Sequence, residues 1–201
     1  QIDRFKYERE CHERGYRVVA GVDEAGRGCL AGDVYAAAVI FPLDYMNEDI
    51  NDSKKLTALR RRELADVIRR DAVAVGVGIA TVREIDEMNI LQCSMLAMKR
   101  ALEQIRNIVP IEFIIVDGNR FPGVEYAPHA TVVKGDAKYL SIAAASIIAK
   151  TMRDEAMITL SKKYPQYQWD VNKGYPTKAH RAAIAEYGTT EHHRLTFKLL
   201  P

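Results

Sequence analysis

Apolar positions along the chain follow two rhythms, and the switches between them outline the elements. Residues 16–24 carry Val18, Val19 and Val22, residues 34–41 read VYAAAVIF and residues 72–80 read AVAVGVGIA, three short runs that predict strands. The link GRGCLAG holds too much glycine for a helix, so the first two strands predict a hairpin-type pair that the third extends into an antiparallel meander. Between the second and third strands, TALRRRELADVIRR at 57–70 sets Leu64, Val67 and Ile68 at helical spacing, with its arginines on the outer, solvated face. Thr81 and Glu84 then form a T-x-x-E capping box, and Leu91, Met95, Met98, Leu102 and Ile105 follow at four- and three-residue steps, predicting a core-facing helix that Pro110 stops.

The second half alternates in the same way. EFIIVD at 112–117 is a continuous apolar run of the kind buried on both faces of a sheet. A short strand at 130–133 leads through KGDAKY into the alanine-rich stretch 140–164, whose small residues let a helix pack closely on a sheet. A polar lead-in over residues 1–15 predicts a short helix at 3–14 closed by Gly15, and the tail from about 164 to 201 predicts a helical segment with a helix near 177–187. The whole, residues 1–201, reads as one α/β domain: a mixed five-stranded sheet flanked by helices.

Composition narrows the class. With 48% hydrophobic and 28% charged residues in 201 positions there is ample material for one core, and a net charge of +2 is too small to announce a nucleic-acid partner, so charge has to be judged locally. Cys11, Cys29 and Cys93 form no C-x-x-C pair, which argues against a zinc ribbon or a disulfide framework and fits a reducing cytoplasm. No apolar run is long enough to span a bilayer and no secretory leader pattern opens the chain, so no membrane partner is expected; Gln1 in place of Met implies that an initiator or a longer segment is missing.

The candidate chemistry lies at strand ends. Asp23 and Glu24 adjoin at the end of the first strand, Asp117 ends EFIIVD, and Asp136 precedes the alanine-rich helix. Adjacent carboxylates repel, and a divalent metal, an Arg or a Lys can neutralise them. Four acids at the sheet's edge suit a pair of magnesium or manganese ions, which clamp the attacking and leaving oxygens of a phosphoryl displacement. An acid taken singly is more often a helix cap, turn former or surface charge, a reading that the adjacent pair Asp23–Glu24 and the strand-ending Asp117 fit less well. Neighbours on a regular strand point to opposite faces, so Asp23 and Glu24 share a metal only where the strand ends or twists, a distortion that Gly26 and Gly28 would permit. Asp154 and Glu155 lie too far along their helix to join Asp136 and read as solvated charges. His180, His192 and His193 lack metal-ligand spacing and read as surface or hydrogen-bonding residues.

GVDEAGRG at 21–28, NDSKKL at 51–56, NILQ at 89–92, IIVDGN at 114–119, KGDAKYLSIAAASIIAKTMRD at 134–154 and NKGYPTKAH at 172–180 together resemble type 2 ribonuclease H, ribonuclease HII, across most of the chain. The resemblance implies a ribonuclease H-like fold and an endonuclease that cuts the RNA strand of RNA/DNA hybrids and nicks DNA duplexes at embedded ribonucleotides, with a substrate-binding C-terminal segment; a monomer is the default expectation. It puts the metal-binding and catalytic acids on Asp23, Glu24, Asp117 and Asp136. It puts ribose 2′-hydroxyl recognition on Gly26, Arg27 and Gly28, and sugar stacking on Tyr175. A glycine-rich loop suits that task, because exposed backbone groups approach a hydroxyl closely. Lys54 is the candidate phosphate contact.

The family's usual G-R-G-P-L-A-G-P loop has Cys29 and Asp33 here in place of both prolines. Losing two fixed φ angles predicts a looser loop, and Asp33 predicts unwelcome negative charge near a phosphate site. Type 3 ribonuclease H is the nearest enzymatic alternative, disfavoured by Arg27 and the KGY segment. A catalytically silent hybrid-binding module is the alternative from another class.

Overall fold

In the structure, a computed structural model that describes residues 3–201, the meander is present as β1 (Val19–Ala25), β2 (Val34–Ile40) and β3 (Ala74–Ala80), paired antiparallel in chain order. Strands β4 (Phe113–Asp117) and β5 (His129–Val132) add in parallel on the free side of β1, giving the order β3-β2-β1-β4-β5. This is the expected mixed five-stranded sheet. Gln1 and Ile2 of the expected lead-in lie outside the described residues. Among the described residues no helix is long and apolar enough to cross a membrane.

Helices cover both faces. On one, α6 (Leu140–Lys163) lies against β1 and β2 beside α2 (Ala58–Asp71), burying Ala37, Val39, Leu64, Ile68 and the alanines of α6. Its approach depends on Gly21, where a Cβ would come within 2.4 Å of the Ser141 backbone. The lead-in helix α1 (Lys6–Glu13) serves this face too: the Glu8 carboxylate accepts from the N–H and hydroxyl of Ser141, capping the start of α6 from outside.

On the other face the expected single helix after β3 is two, α3 (Val82–Met88) and α4 (Ile90–Arg106). The break is at Asn89, whose φ of +142° leaves the helix while its side chain accepts from Gln92 N–H and starts the next one. The buried stripe differs as well. Leu91 and Met95 stay partly exposed, and Ala97 and Ala101 meet the sheet, because Gly76 and Gly78 of β3 let the helix backbone come close.

The tail forms α7 (Trp169–Asn172) and α8 (Lys178–Tyr187), with α5 (Gly135–Lys138) a single turn ahead of α6. A separate cluster of Leu30, Ala31, Met157, Tyr167, Trp169 and Ile184 joins this tail to the β1–β2 link and the far end of α6.

Candidate active site

The parallel register of β1 and β4 pairs Val22 with Val116, so one step further Asp23 comes alongside Asp117. Alternation puts both on the α6 face, with Val19, Phe113, Ile115 and Ile142 packed behind them. Asp117 Oδ1 then accepts from Gly135 N–H at 2.6 Å, and this bond draws the single turn α5, with Asp136, onto the strand end. One carboxylate oxygen from each of Asp23, Asp117 and Asp136 lies within 4.8 Å of the others.

Glu24 is not in that cluster. Strand β1 keeps its ladder pairing through Ala25, which pairs with Tyr35, and the Glu24 carboxyl still comes close enough to Asp23 for each to act on the other's titration. It lines the same cleft of about 290 Å3, with its Oε1 3.7 Å from Arg27 Nη1.

Electrostatics mark the cluster as strained without a cation. Burial, then the charges of Glu24 and Asp117, hold the Asp23 pKa well above the usual carboxylate value. Asp136 is raised by burial and by Asp117 and Asp52, with Lys54 opposing. Glu24 is raised by burial, with Arg27 opposing. An all-carboxylate donor set that resists ionising is the kind a hard divalent cation completes.

The other candidates line the same cleft. Gly26, Arg27 and Gly28 form its rim and the half-buried Tyr175 its wall, with Lys150 Nζ 5.0 Å from the Tyr175 ring centre. Lys54, its side chain 82% exposed, stands 3.9 Å from Asp136. The turn carrying Lys54 is anchored by the Ser53–Ser146 hydroxyl pair at 2.8 Å and by Asp52, which accepts from Lys54 N–H.

Three expectations change. The loop with Cys29 and Asp33 is tethered rather than loose: Leu30 N–H donates to Gly174 O at 2.8 Å, Gly32 N–H to His192 O at 2.8 Å, and Cys29 is fully buried. The Asp33 carboxylate is spent at the start of α3, where it accepts from Val82 N–H at 2.9 Å. Asp154 is a buried acid, not a solvated one: it meets Lys150 at 3.0 Å and Arg61 at 3.6 Å, and Arg61, expected on a solvated face, turns in to the Ser53 and Leu56 carbonyls. His180 and His193 keep their hydrogen-bonding role but are buried. Trp169 Nε1 donates to His180 Nε2, which leaves His180 Nδ1 to donate to Tyr175 O, and Thr190 N–H donates to His193 Nδ1.

Two residues that the sequence did not single out lie under the rim: Arg194 donates to the carbonyls of Gly26 and Arg27, and Arg153 to those of Ala31 and Asp33 further along the same link. The one signal for Arg153 was a charge on the apolar stripe of α6, four residues beyond Ala149.

The pattern of the ribonuclease HII family matches residues 20–200. Curated ribonucleases HII from Phocaeicola vulgatus and Bacteroides thetaiotaomicron are each 59% identical over 183 residues, 91% of this chain and 90% of theirs. Among solved structures, the PCNA:RNase HII complex from Archaeoglobus fulgidus matches with a TM-score of 0.72 at 28% identity, over 92% of this chain and 96% of that one. Ribonuclease H2 from Pyrococcus horikoshii matches with a TM-score of 0.71 at 27% identity, over 90% of this chain and 94% of that one.

Proposed function

The chain belongs to the ribonuclease HII family and is an RNase H endonuclease, and from that premise we propose that Asp23, Glu24, Asp117 and Asp136 are its metal-binding and catalytic acids. In this reading it hydrolyses the RNA strand of RNA/DNA hybrids and nicks DNA duplexes on the 5′ side of an embedded ribonucleotide, in ribonucleotide removal during replication and repair. The observation that carries it is the convergence of Asp23, Asp117 and Asp136 within 4.8 Å. They share their cleft with Gly26, Arg27, Gly28 and Tyr175.

The three aspartates would hold the first of two magnesium or manganese ions, and Glu24 would help with the second from across the cleft. Bound there, such ions supply Lewis-acid charge at the attacking and leaving oxygens of the scissile phosphate. The protein's own residues do the rest. Gly135 N–H fixes the Asp117 carboxylate, and Glu24 N–H fixes that of Asp23 at 2.8 Å. The rim amides meet the ribose 2′-hydroxyl, the group that separates RNA from DNA. Tyr175 offers a flat platform to the next sugar, and Lys54 offers a cation to a phosphate. The reading carries with it a cytoplasmic location and action as a monomer in which residues 164–201 bind substrate.

The test is cleavage of a labelled DNA duplex containing one ribonucleotide, beside an all-DNA control, with magnesium, with manganese and with chelator. We expect metal-dependent nicking on the 5′ side of the ribonucleotide, leaving 3′-hydroxyl and 5′-phosphate ends, and its loss in Asp117→Asn with binding retained. Wild-type rates in Asp117→Asn would refute the acid assignment. Salt-sensitive binding without cleavage in either metal would instead mark a silent binding module.

A further inference from the structure

Two arginines under the rim have no acid to meet them. Arg153, in α6, and Arg194, near the C-terminus, are 1% and 0% exposed, and among the described residues neither forms an ion pair. A buried guanidinium is costly unless its N–H groups are satisfied. Here backbone carbonyls satisfy them. Arg194 donates to Gly26 O at 2.7 Å, Arg27 O at 3.0 Å and Gly32 O at 2.8 Å. Arg153 donates to Ala31 O at 2.7 Å, Asp33 O at 3.0 Å and Lys173 O at 2.6 Å. Burial pushes the Arg194 pKa down to about 10, which leaves it charged at neutral pH.

The consequence follows from the planar trans peptide, whose C=O and N–H point in opposite directions. With the carbonyls of Gly26 and Arg27 turned inward onto Arg194, the N–H groups of Arg27 and Gly28 are turned outward. Neither finds a protein acceptor among the described residues, and the space beside Gly28 is open. Gly26 is glycine for the opposite reason: its φ is +97° and a Cβ would come within 2.1 Å of Arg153 Nε. Arg153 also spans two segments, since its bond to Lys173, with that of Leu30 N–H to Gly174 O, fixes the approach of Tyr175 to the rim.

We infer that Arg194 and Arg153 are positioning residues for ribose recognition: Arg194 holds the rim carbonyls inward and Arg153 ties the rest of the link to the segment before Tyr175, so that the Arg27 and Gly28 amides and the Tyr175 ring meet one nucleotide step at fixed spacing. The inference rests on the substrate reading proposed above. Its test is the ratio of affinities for a duplex with one ribonucleotide and for the same duplex in DNA alone, measured with calcium to hold back turnover. In Arg194→Lys and in Arg153→Lys the preference for the ribonucleotide should fall about tenfold, the scale of a lost charge-assisted hydrogen bond, with all-DNA affinity little changed. A loss of both affinities together, or an unchanged preference in the folded variants, overturns the inference. Absence of any preference and of cleavage in the unaltered protein overturns the substrate reading instead. Hydrogen exchange on the unaltered protein needs no variant to fold: the Arg27 and Gly28 amides should exchange fast in the free protein and slow only on the ribonucleotide duplex. Protection in the free protein, or equal protection by both duplexes, overturns the inference.

Discussion

Replacing Asp23 with Asn should stabilise the metal-free protein and abolish its turnover. Asp23 is buried, and its carboxylate lies within 4.8 Å of those of Asp117 and Asp136. At that separation two full charges repel by about 3 kcal/mol in a medium of effective dielectric constant about 20. Burial and mutual repulsion raise the pKa values of Asp23 and Asp136, so charge at this cluster is costly, and removing one of its charges is expected to gain about 1–3 kcal/mol. Asn keeps the oxygen that accepts from Glu24 N–H, so the strand end loses charge and not a bond. For a chain of this length that gain corresponds to a rise of about 2–12 °C in Tm. The assay is thermal unfolding at pH 8 with chelator, then with manganese. The wild type should gain Tm on adding manganese, and Asp23→Asn should start higher and gain little. A variant less stable than the wild type in chelator, or one that keeps the full manganese-dependent gain, would refute the reasoning.

The buried histidines give a pH dependence. Burial pulls the His193 pKa from 6.5 to about 4, so the unfolded chain binds the extra proton between those values, and this contribution is complete above pH 6.5 and lost as pH falls towards 4. The difference is worth about 3 kcal/mol. Urea unfolding of the wild type and His193→Gln at pH 7.5 and 4.5 isolates it, because the raised acids, which act in the opposite sense, are common to both; parallel pH profiles would contradict the assignment. Gly78→Ala should lower stability by about 1–3 kcal/mol, because a Cβ there would meet Ala97 O at 2.0 Å and α4 has to move away. An unchanged Tm in that variant would show that the α4 contact is not tight.

How far the site could be read in advance depended on where each residue's partner lies. Asp23 and Asp117 were legible because a strand carries its ending in its own sequence, and the period of two already warned that Glu24 would not join the same cluster as directly as its neighbour. Asp154 sat in a polar run that reads as surface, and its burial between Lys150 and Arg61, the latter brought in by α2, leaves no trace in that run. The break at Asn89 was invisible because the capping box before it and the apolar stripe after it are each consistent with one helix. Arg153 and Arg194 left the weakest trace. Their partners are main-chain carbonyls, which every residue carries, so no pairing of residue types betrays them.

Arg194 closes onto Gly26 across 168 positions of sequence, and that distance sets an order of events during synthesis. The aspartates are all in the chain once residue 136 has been added, whereas Arg194, which turns the rim carbonyls inward, follows 58 positions later. A nascent chain can therefore gather its acids well before it can fix the surface that tells ribose from deoxyribose. The ability to discriminate is completed after the acids are, and a chain cut before Arg194 would have its acids in place and its selectivity unfinished.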